Sequence, residues 1–236
     1  MYRIVKRAFD VAFSLLAVVL TSPAWLLIAL GIKASSPGPV FYRSLRAGRD
    51  HREFPVYKFR SMHLYRPADP SDGRVSEGGF IANQQRIFPL GSFLRKSKLD
   101  ELPQLLSVLT GEMSLVGPRP YPEKAVQKFY TGDYACVMTV RPGLTGLDSL
   151  FDYAHGELFV KDNDAYTKTV LPIRTELARL YVERQSLALD LHCVLRTFRL
   201  VFEIVALKRK EFPLTKYEAE AARRAAARRA DGPKAG

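Results

Sequence analysis

A chain of 236 residues has room for one ordinary domain plus an anchor or tail, and its 47% hydrophobic content suffices for a packed core, so a second enzyme domain is not expected. Lys and Arg (36) outnumber Asp and Glu (24), and the excess of +12 sits at the two ends: residues 1–60 carry ten basic and three acidic groups, residues 208–236 nine and four, and the stretch between them seventeen of each. That layout argues against a basic groove across a folded domain, and no zinc-finger or aromatic-basic pattern accompanies it, so an anionic membrane surface is an expected partner and nucleic acid is not.

Cys136 and Cys193 are far apart and show neither metal-site nor disulfide-framework spacing, which fits a reducing, cytosolic side. His51, His63, His155 and His192 show no metal-ligand pairing and receive no role.

The first element is apolar. Residues 11–32 are twenty-two positions without a charge, preceded by Arg3, Lys6 and Arg7, which meets the length of a membrane span. The run is too long for the core of a cleavable signal peptide, and its one small-residue exit, Ala34-Ser35-Ser36, meets Pro37. Ser22-Pro23 falls in the middle, where proline removes a backbone donor and favours a kink. Both flanks are basic, since Lys33, Arg43, Arg46, Arg49 and Arg52 follow the run. Each half, residues 11–21 and 23–33, has eleven residues, or roughly 16 Å of helix at ~1.5 Å per residue, about half of a hydrocarbon core. The residues admit two arrangements equally: a straight span with a tolerated proline, or a helix-break-helix that enters and returns on one face.

A turn cluster follows (Ser35-Ser36-Pro37-Gly38-Pro39), then β-type runs at 40–42 and 54–59 and a Pro/Gly-rich loop at 66–80. Leu102, Leu105, Leu106 and Leu109 mark one face of a helix, and Leu191, Val194, Leu195, Phe198, Val201, Phe202 and Val205 mark another, as core or membrane-interface packing. The Ala/Glu/Arg-rich residues 216–229 predict a helix polar nearly all round, or disorder. The expected division is a membrane anchor at 1–34, a catalytic domain at 35–207 and a basic tail at 208–236 that is dispensable for chemistry, its arginines adding attraction to anionic lipid.

The sharpest local signal is Leu99-Asp100-Glu101-Leu102-Pro103-Gln104, where Asp100 is a candidate N-cap and Pro103 lies in the first turn of the leucine-striped helix. Adjacent carboxylates at a helix start are held ionised by free N–H groups, and such a group is able to act as a nucleophile or hold Mg2+ beside phosphate oxygens. Acidic residues in a first helical turn are also a routine structural choice. Lys58, Arg60, Arg95 and Arg119 stand as phosphate-seeking cations, Arg119 stiffened between Pro118 and Pro120. Arg141-Pro142-Gly143-Leu144-Thr145-Gly146 is a turn able to present an N–H and a hydroxyl to an anion.

In order, Lys6-Arg7-Ala8-Phe9-Asp10, Thr21-Ser22-Pro23, Tyr57-Lys58-Phe59-Arg60-Ser61-Met62, Leu99 to Leu105, Met113-Ser114-Leu115-Val116-Gly117-Pro118-Arg119-Pro120 and Val140 to Gly146 resemble the bacterial sugar transferases, monotopic phosphoglycosyl transferases, from about residue 3 to 205. The resemblance implies an α+β, helix-rich fold: a re-entrant helix kinked at Ser22-Pro23, then a small membrane-associated catalytic domain on the cytoplasmic face of a bacterial inner membrane. It implies a two-step, Mg2+-dependent transfer in which Asp100 attacks the β-phosphate of a UDP-sugar, UMP leaves, and polyprenyl (undecaprenyl) phosphate takes the phosphosugar, the first step of glycoconjugate or exopolysaccharide assembly. Glu101 would assist through the metal or the acceptor. Lys58, Arg60, Arg95, Arg119, Pro120, Arg141 and Thr145 would contact substrate, Asp190 would brace the site, and a homodimer is compatible with the residues. After Gly146 the chain departs from the common pattern with Leu147-Asp148-Ser149-Leu150-Phe151-Asp152-Tyr153, which puts sugar and nucleotide contacts there in question. Two other readings are a nucleotide-sugar pyrophosphatase, with water in place of the lipid, and a non-catalytic adaptor that binds anionic lipid through its basic ends.

Overall fold

The computed structural model describes residues 1–64, 86–156 and 163–230, so the Pro/Gly-rich loop expected at 66–80 lies outside the described residues. α1 (Tyr2–Ser35) runs as one continuous helix through Pro23, and the expected helix-break-helix is corrected to an uninterrupted helix. Proline at 23 has no N–H to offer the carbonyl of Val19, four residues back. The Ser22 hydroxyl replaces that donor, reaching the Val19 oxygen at 2.8 Å, while Thr21 Oγ1 donates to Ala17 O at 2.7 Å. The lost hydrogen bond is thus made good locally and the helix continues.

Among the described residues α1 is the one helix long and apolar enough to cross a membrane, by length and composition. Its two ends are nevertheless held by the same domain. Near the start, Tyr2 OH and Lys6 Nζ donate to Asp190 Oδ2 at 2.9 and 3.1 Å, and buried Asp10 accepts from Ser114 Oγ (2.7 Å) and the Leu115 N–H (3.1 Å). Near the end, Ile28 and Ile32 are buried with Phe59, Phe88 and Leu94, and Trp25 meets Phe59 edge-on at 5.6 Å. Between them Leu16, Val19, Leu20, Leu26 and Leu27 are exposed.

β1 (Phe41–Ala47) and β2 (Glu53–Phe59) form an antiparallel hairpin that pairs Tyr42 with Lys58 and Ala47 with Glu53. α2 (Pro89–Lys96) leads through a 3-10 turn (Leu99–Glu101) to α3 (Gln104–Thr110), which Gly111 ends in the left-handed conformation (φ 93°) that favours glycine. β3 (Ser114–Val116) and β4 (Gly143–Thr145) pair in parallel, with α4 (Glu123–Phe129) between them in sequence. Gly117 and Gly143 sit backbone to backbone here: a Cβ on Gly143 would lie 2.1 Å from the Gly117 nitrogen, so the close approach requires glycine.

α5 (Leu147–His155) is buried from Leu147 through Ala154, and α6 (Asn163–Ala165) passes through a π-helical turn (Tyr166–Val170) into α7 (Leu171–Glu183). α8 (Leu187–Val205) begins at Ser186, whose hydroxyl accepts from the Leu189 N–H at 3.2 Å. Its apolar residues divide: Val194, Leu200 and Ile204 join the main core with Phe54, Leu105, Leu115 and Leu177, while Leu191, Leu195, Phe198 and Phe202 face out. In the tail, α9 (Lys216–Ala230) is capped reciprocally, the Glu218 N–H bonding Thr215 Oγ1 (3.3 Å) and the Thr215 N–H bonding Glu218 Oε2 (2.6 Å). The helix is not polar all round: Glu218, Ala221 and Ala225 are buried, and its main packing partner is α7.

Candidate active site

The chain reaches Asp100 by a left-handed residue, Lys98 (φ 59°), which turns it from α2 into the 3-10 turn holding both carboxylates. Asp100 does not cap α3. That position is occupied by Pro103, and no side chain makes a cap hydrogen bond. Asp100 and Glu101 are 6% and 7% exposed, so each carboxylate loses most of its water and needs compensating charge.

Glu101 receives that charge directly. Lys58 Nζ, projecting from β2, donates to Glu101 Oε1 at 2.6 Å, and both terminal nitrogens of Arg119 lie 3.5 Å from the same oxygen. Burial opposes ionisation of Glu101, but Lys58, Lys98 and Arg119 outweigh it and hold the carboxyl far below its usual range. Asp100 Oδ1, by contrast, is buried with no hydrogen bond among the described residues. Burial pushes its pKa up to about 6, with Lys58, Lys98 and Arg95 opposing the rise and Glu101 adding to it. The two adjacent acids thus differ in environment, Glu101 Oε1 paired with cations and Asp100 Oδ1 buried without a hydrogen bond among the described residues.

Arg119 is aimed by its own backbone. Its N–H donates to Asp148 Oδ2 at 2.9 Å, and the Ala47 N–H to Tyr121 O at 2.8 Å pins the segment just beyond Pro120 to the hairpin. Tyr153 OH donates to the Lys96 carbonyl, fixing α5 beside α2, and Lys98 Nζ lies 4.6 Å over the Tyr153 ring.

Three expected phosphate contacts lie elsewhere. Arg60 turns away from the carboxylates, donating to Ser36 Oγ (3.0 Å), Pro37 O (2.8 Å) and Ser36 O (2.7 Å), so its guanidinium braces the exit of α1. Arg141 Nε donates to Gly111 O at 2.8 Å, at the far end of α3. Thr145 Oγ1 lies 2.8 Å from Thr197 Oγ1; Thr197 itself donates to Cys193 O, which leaves Thr145 as the donor between them. Asp190 braces α1 rather than the carboxylates, since it also accepts from Tyr181 OH at 2.8 Å. The structure thus brings together Asp100, Glu101, Lys58, Arg95 and Arg119, with Pro120 adjoining, and leaves Arg60, Arg141, Thr145 and Asp190 outside that group.

Comparison with known proteins joins this arrangement to a lineage. A family model described as bacterial sugar transferase matches residues 1–204. The chain belongs to the bacterial sugar transferase family. It is 39% identical over 197 residues (81% of the chain, 67% of the relative) to a UDP-glucose:undecaprenyl-phosphate glucose-1-phosphate transferase of Caulobacter vibrioides. It is 41% identical over 146 residues (61% and 30%) to the protein of that same name in Escherichia coli. A UDP-N-acetylgalactosamine-undecaprenyl-phosphate N-acetylgalactosaminephosphotransferase of Aeromonas hydrophila is 34% identical over 202 residues (85% and 44%). The matched part of this chain thus spans two thirds of the first of these relatives and under half of the other two.

In this member of the family the residues after Gly146 serve as scaffold. Asp148, 1% exposed, holds the Arg119 amide, and burial raises its pKa to about 6. Asp152 pairs with buried Arg174 at 3.2 Å and accepts from Tyr166 OH at 2.7 Å. Sequence reasoning assigned none of Asp148, Asp152 or Arg174. The available signal was an apolar helical run interrupted by acids four apart, which places both on one helix face.

Proposed function

We propose that the chain transfers a sugar 1-phosphate from a UDP-sugar to polyprenyl phosphate, with Asp100 as the nucleophile. The observation that carries this reading is the asymmetry of the acid pair, Glu101 Oε1 paired with Lys58 and Arg119 while Asp100 Oδ1 is buried with no hydrogen bond among the described residues. In the first step an Asp100 oxygen attacks the β-phosphorus; the bond from that phosphorus to the bridging oxygen breaks, and its electron pair leaves with UMP. In the second, an oxygen of polyprenyl phosphate attacks the same phosphorus, the bond to Asp100 breaks, and the carboxylate is restored. Lys58 and Arg119 face the place where phosphate charge builds up, where fixed cations act without reorganising.

Magnesium fits the donor set, because Mg2+ is commonly held by one or two carboxylates together with water and substrate phosphates, and Asp100 has a buried oxygen without a partner among the described residues. Asp100 and Glu101 would hold it, and the ion would supply neutralisation of the diphosphate and its leaving group. No group of three ligating His, Cys, Asp or Glu side chains occurs among the described residues, so phosphate and water oxygens complete such a shell.

The membrane arrangement we favour is monotopic, at the cytoplasmic face of the inner membrane. A spanning α1 would put its first and last turns on opposite sides of a bilayer, whereas residues near both ends pack on one domain. Its exposed apolar middle, with basic residues on both flanks, is suited to entering one leaflet from the cytoplasmic side.

The test is product analysis over a panel of UDP-sugars with and without polyprenyl phosphate. The reading expects a lipid-linked diphosphosugar and stoichiometric UMP only when acceptor is present, after at most one UMP per enzyme without it. Continuous release of UMP and free sugar 1-phosphate without lipid would make the protein a pyrophosphatase. No turnover of any donor would favour the adaptor, against which stands the desolvation of two buried acids.

A further inference from the structure

At the end of α3 opposite the carboxylates lies a basic cavity of about 70 Å³ that the proposed transfer does not use. Arg3, Lys6, Arg7, Arg49 and Arg141 line it, with Asp10 on the acidic side. These cations are incompletely neutralised. Lys6 is taken up by Asp190. Arg7 spends Nη1 and Nη2 on the carbonyls of Val108 (2.6 Å) and Leu109 (2.9 Å), and Arg141 spends Nε on Gly111, so both cap a helix end with groups that carry no whole negative charge. Arg49 has Asp50 at 3.1 Å, an exposed pair, and Arg3 makes no hydrogen bond or ion pair among the described residues. Burial, and then repulsion from Arg49 and Arg7, lowers the pKa of Arg141, with Asp10 opposing the fall, as expected where several guanidinium groups share one nearby carboxylate.

The cavity opens beside a shallow trough floored by Ile4, Ala8, Val11 and Ala12 of α1. A phosphate-seeking cavity thus adjoins an apolar strip on the apolar helix. At about 70 Å³ it is far below the roughly 300 Å³ at which pockets enclose whole small molecules, which fits a headgroup phosphate and not a nucleotide. Ten residues of helix and turn separate Glu101 from Gly111, roughly 15 Å at ~1.5 Å per residue, so a phosphate held here is out of reach of Asp100.

We infer that this cavity and trough bind one anionic membrane phospholipid, its phosphate among Arg3, Arg7, Arg49 and Arg141 and an acyl chain along Ile4, Ala8 and Val11. The bound lipid seats the start of α1 at the headgroup level. The inference rests on the membrane-associated reading above, and the experiment separates the two.

The full chain is reconstituted with vesicles of phosphatidylcholine alone or with phosphatidylglycerol added, and lipid retained on the protein is counted by native mass spectrometry. Wild type is expected to retain one phosphatidylglycerol, and Arg3→Gln with Arg49→Gln is expected to weaken that retention about ten-fold. Both side chains are exposed and neither caps α3, so folding is expected to survive; should the pair melt early by circular dichroism, Arg49→Gln alone serves. Removing the same charge from the tail with Arg223→Gln and Arg229→Gln is expected to leave retention intact. Equal loss in both double variants would mean diffuse attraction and overturn the site, as would displacement of the phosphatidylglycerol by stoichiometric polyprenyl phosphate. Binding to both vesicle types without retained phosphatidylglycerol would overturn the site alone, whereas failure to bind either would overturn the membrane reading.

Discussion

The two ends of α3 carry similar cations to different ends. At its start, Lys58 and Arg119 meet a carboxylate and are held by it, while the neighbouring buried acid keeps an oxygen with no hydrogen bond among the described residues. At its finish, Arg7 and Arg141 meet backbone carbonyls, which satisfy their donors without cancelling their charge. The difference teaches that a basic residue in a motif has no fixed role. The acceptor opposite it decides whether it organises a reacting group or keeps free charge for a partner.

The comparison breaks first at Asp100. Asp100→Asn keeps shape and removes charge, and transfer is expected to fall by at least ~10³-fold, about 4 kcal/mol of barrier, in a radiolabelled transfer assay. A residual rate within ten-fold of wild type would sink the nucleophile.

The pH profile sharpens it. In the proposed mechanism Asp100 reacts as the carboxylate, and burial raises its pKa to about 6, so kcat/KM is expected to be flat above that value and to drop about ten-fold per unit of pH below it. Asp148 is raised to the same range; Asp148→Asn keeps an oxygen for the Arg119 amide and is expected to leave the acid limb in place. Disappearance of the limb in that variant would assign it to Asp148.

A matched pair of conservative changes contrasts the two ends. Arg119→Lys replaces a planar fork by a point charge, and kcat/KM for the donor is expected to fall roughly ten- to a hundred-fold. Arg141→Lys is expected to cost about 1 kcal/mol of stability through the weakened cap while keeping kcat/KM within about two-fold. Equal kinetic losses would place Arg141 with the substrate after all.

The smallest effect is expected in the tail. Arg228 Nε lies 2.7 Å from the carboxylate of Glu176, a side chain with no exposed surface, while Arg228 itself is 39% exposed, so solvent screening discounts the pair. Arg228→Gln is expected to lower stability by about 1–2 kcal/mol in urea melts, below the cost of breaking a wholly buried pair, with kcat unchanged. A loss of activity without a loss of stability would tie α9 to the chemistry.

Much of this was legible in the chain, because the informative residues are near one another in sequence or belong to familiar local devices. Asp100-Glu101 and the Pro-stiffened Arg119 are of that kind. Arg60 misled for a local reason: Lys58 and Arg60 are two apart and would share a face of a strand, but β2 ends at Phe59 and the next residue turns into the exit of α1. The Ser22-Pro23 break was overestimated because proline's missing donor was counted and the serine hydroxyl beside it was not. In the tail, Thr215 and Glu218 are a readable capping box, and Ala221 and Ala225 a readable small face. What no local pattern revealed is that Glu176 and Glu183 of α7 lie opposite its arginines, a pairing of residues about forty positions or more apart. The same holds for Asp148 and Arg119, where a helix inside the core reaches back to aim a residue on the loop before it.

The central claim is a covalent link to Asp100, and the most direct measurement is rapid-quench mass spectrometry of the protein with UDP-sugar and no lipid acceptor. The account predicts up to one equivalent of UMP released, a phosphosugar mass added to the peptide containing Asp100, loss of that mass on addition of polyprenyl phosphate, and no adduct in Asp100→Asn. Absence of any adduct in the wild type, together with initial-rate patterns of a ternary complex, would contradict it and leave direct attack by the lipid phosphate, with Asp100 reduced to a metal ligand.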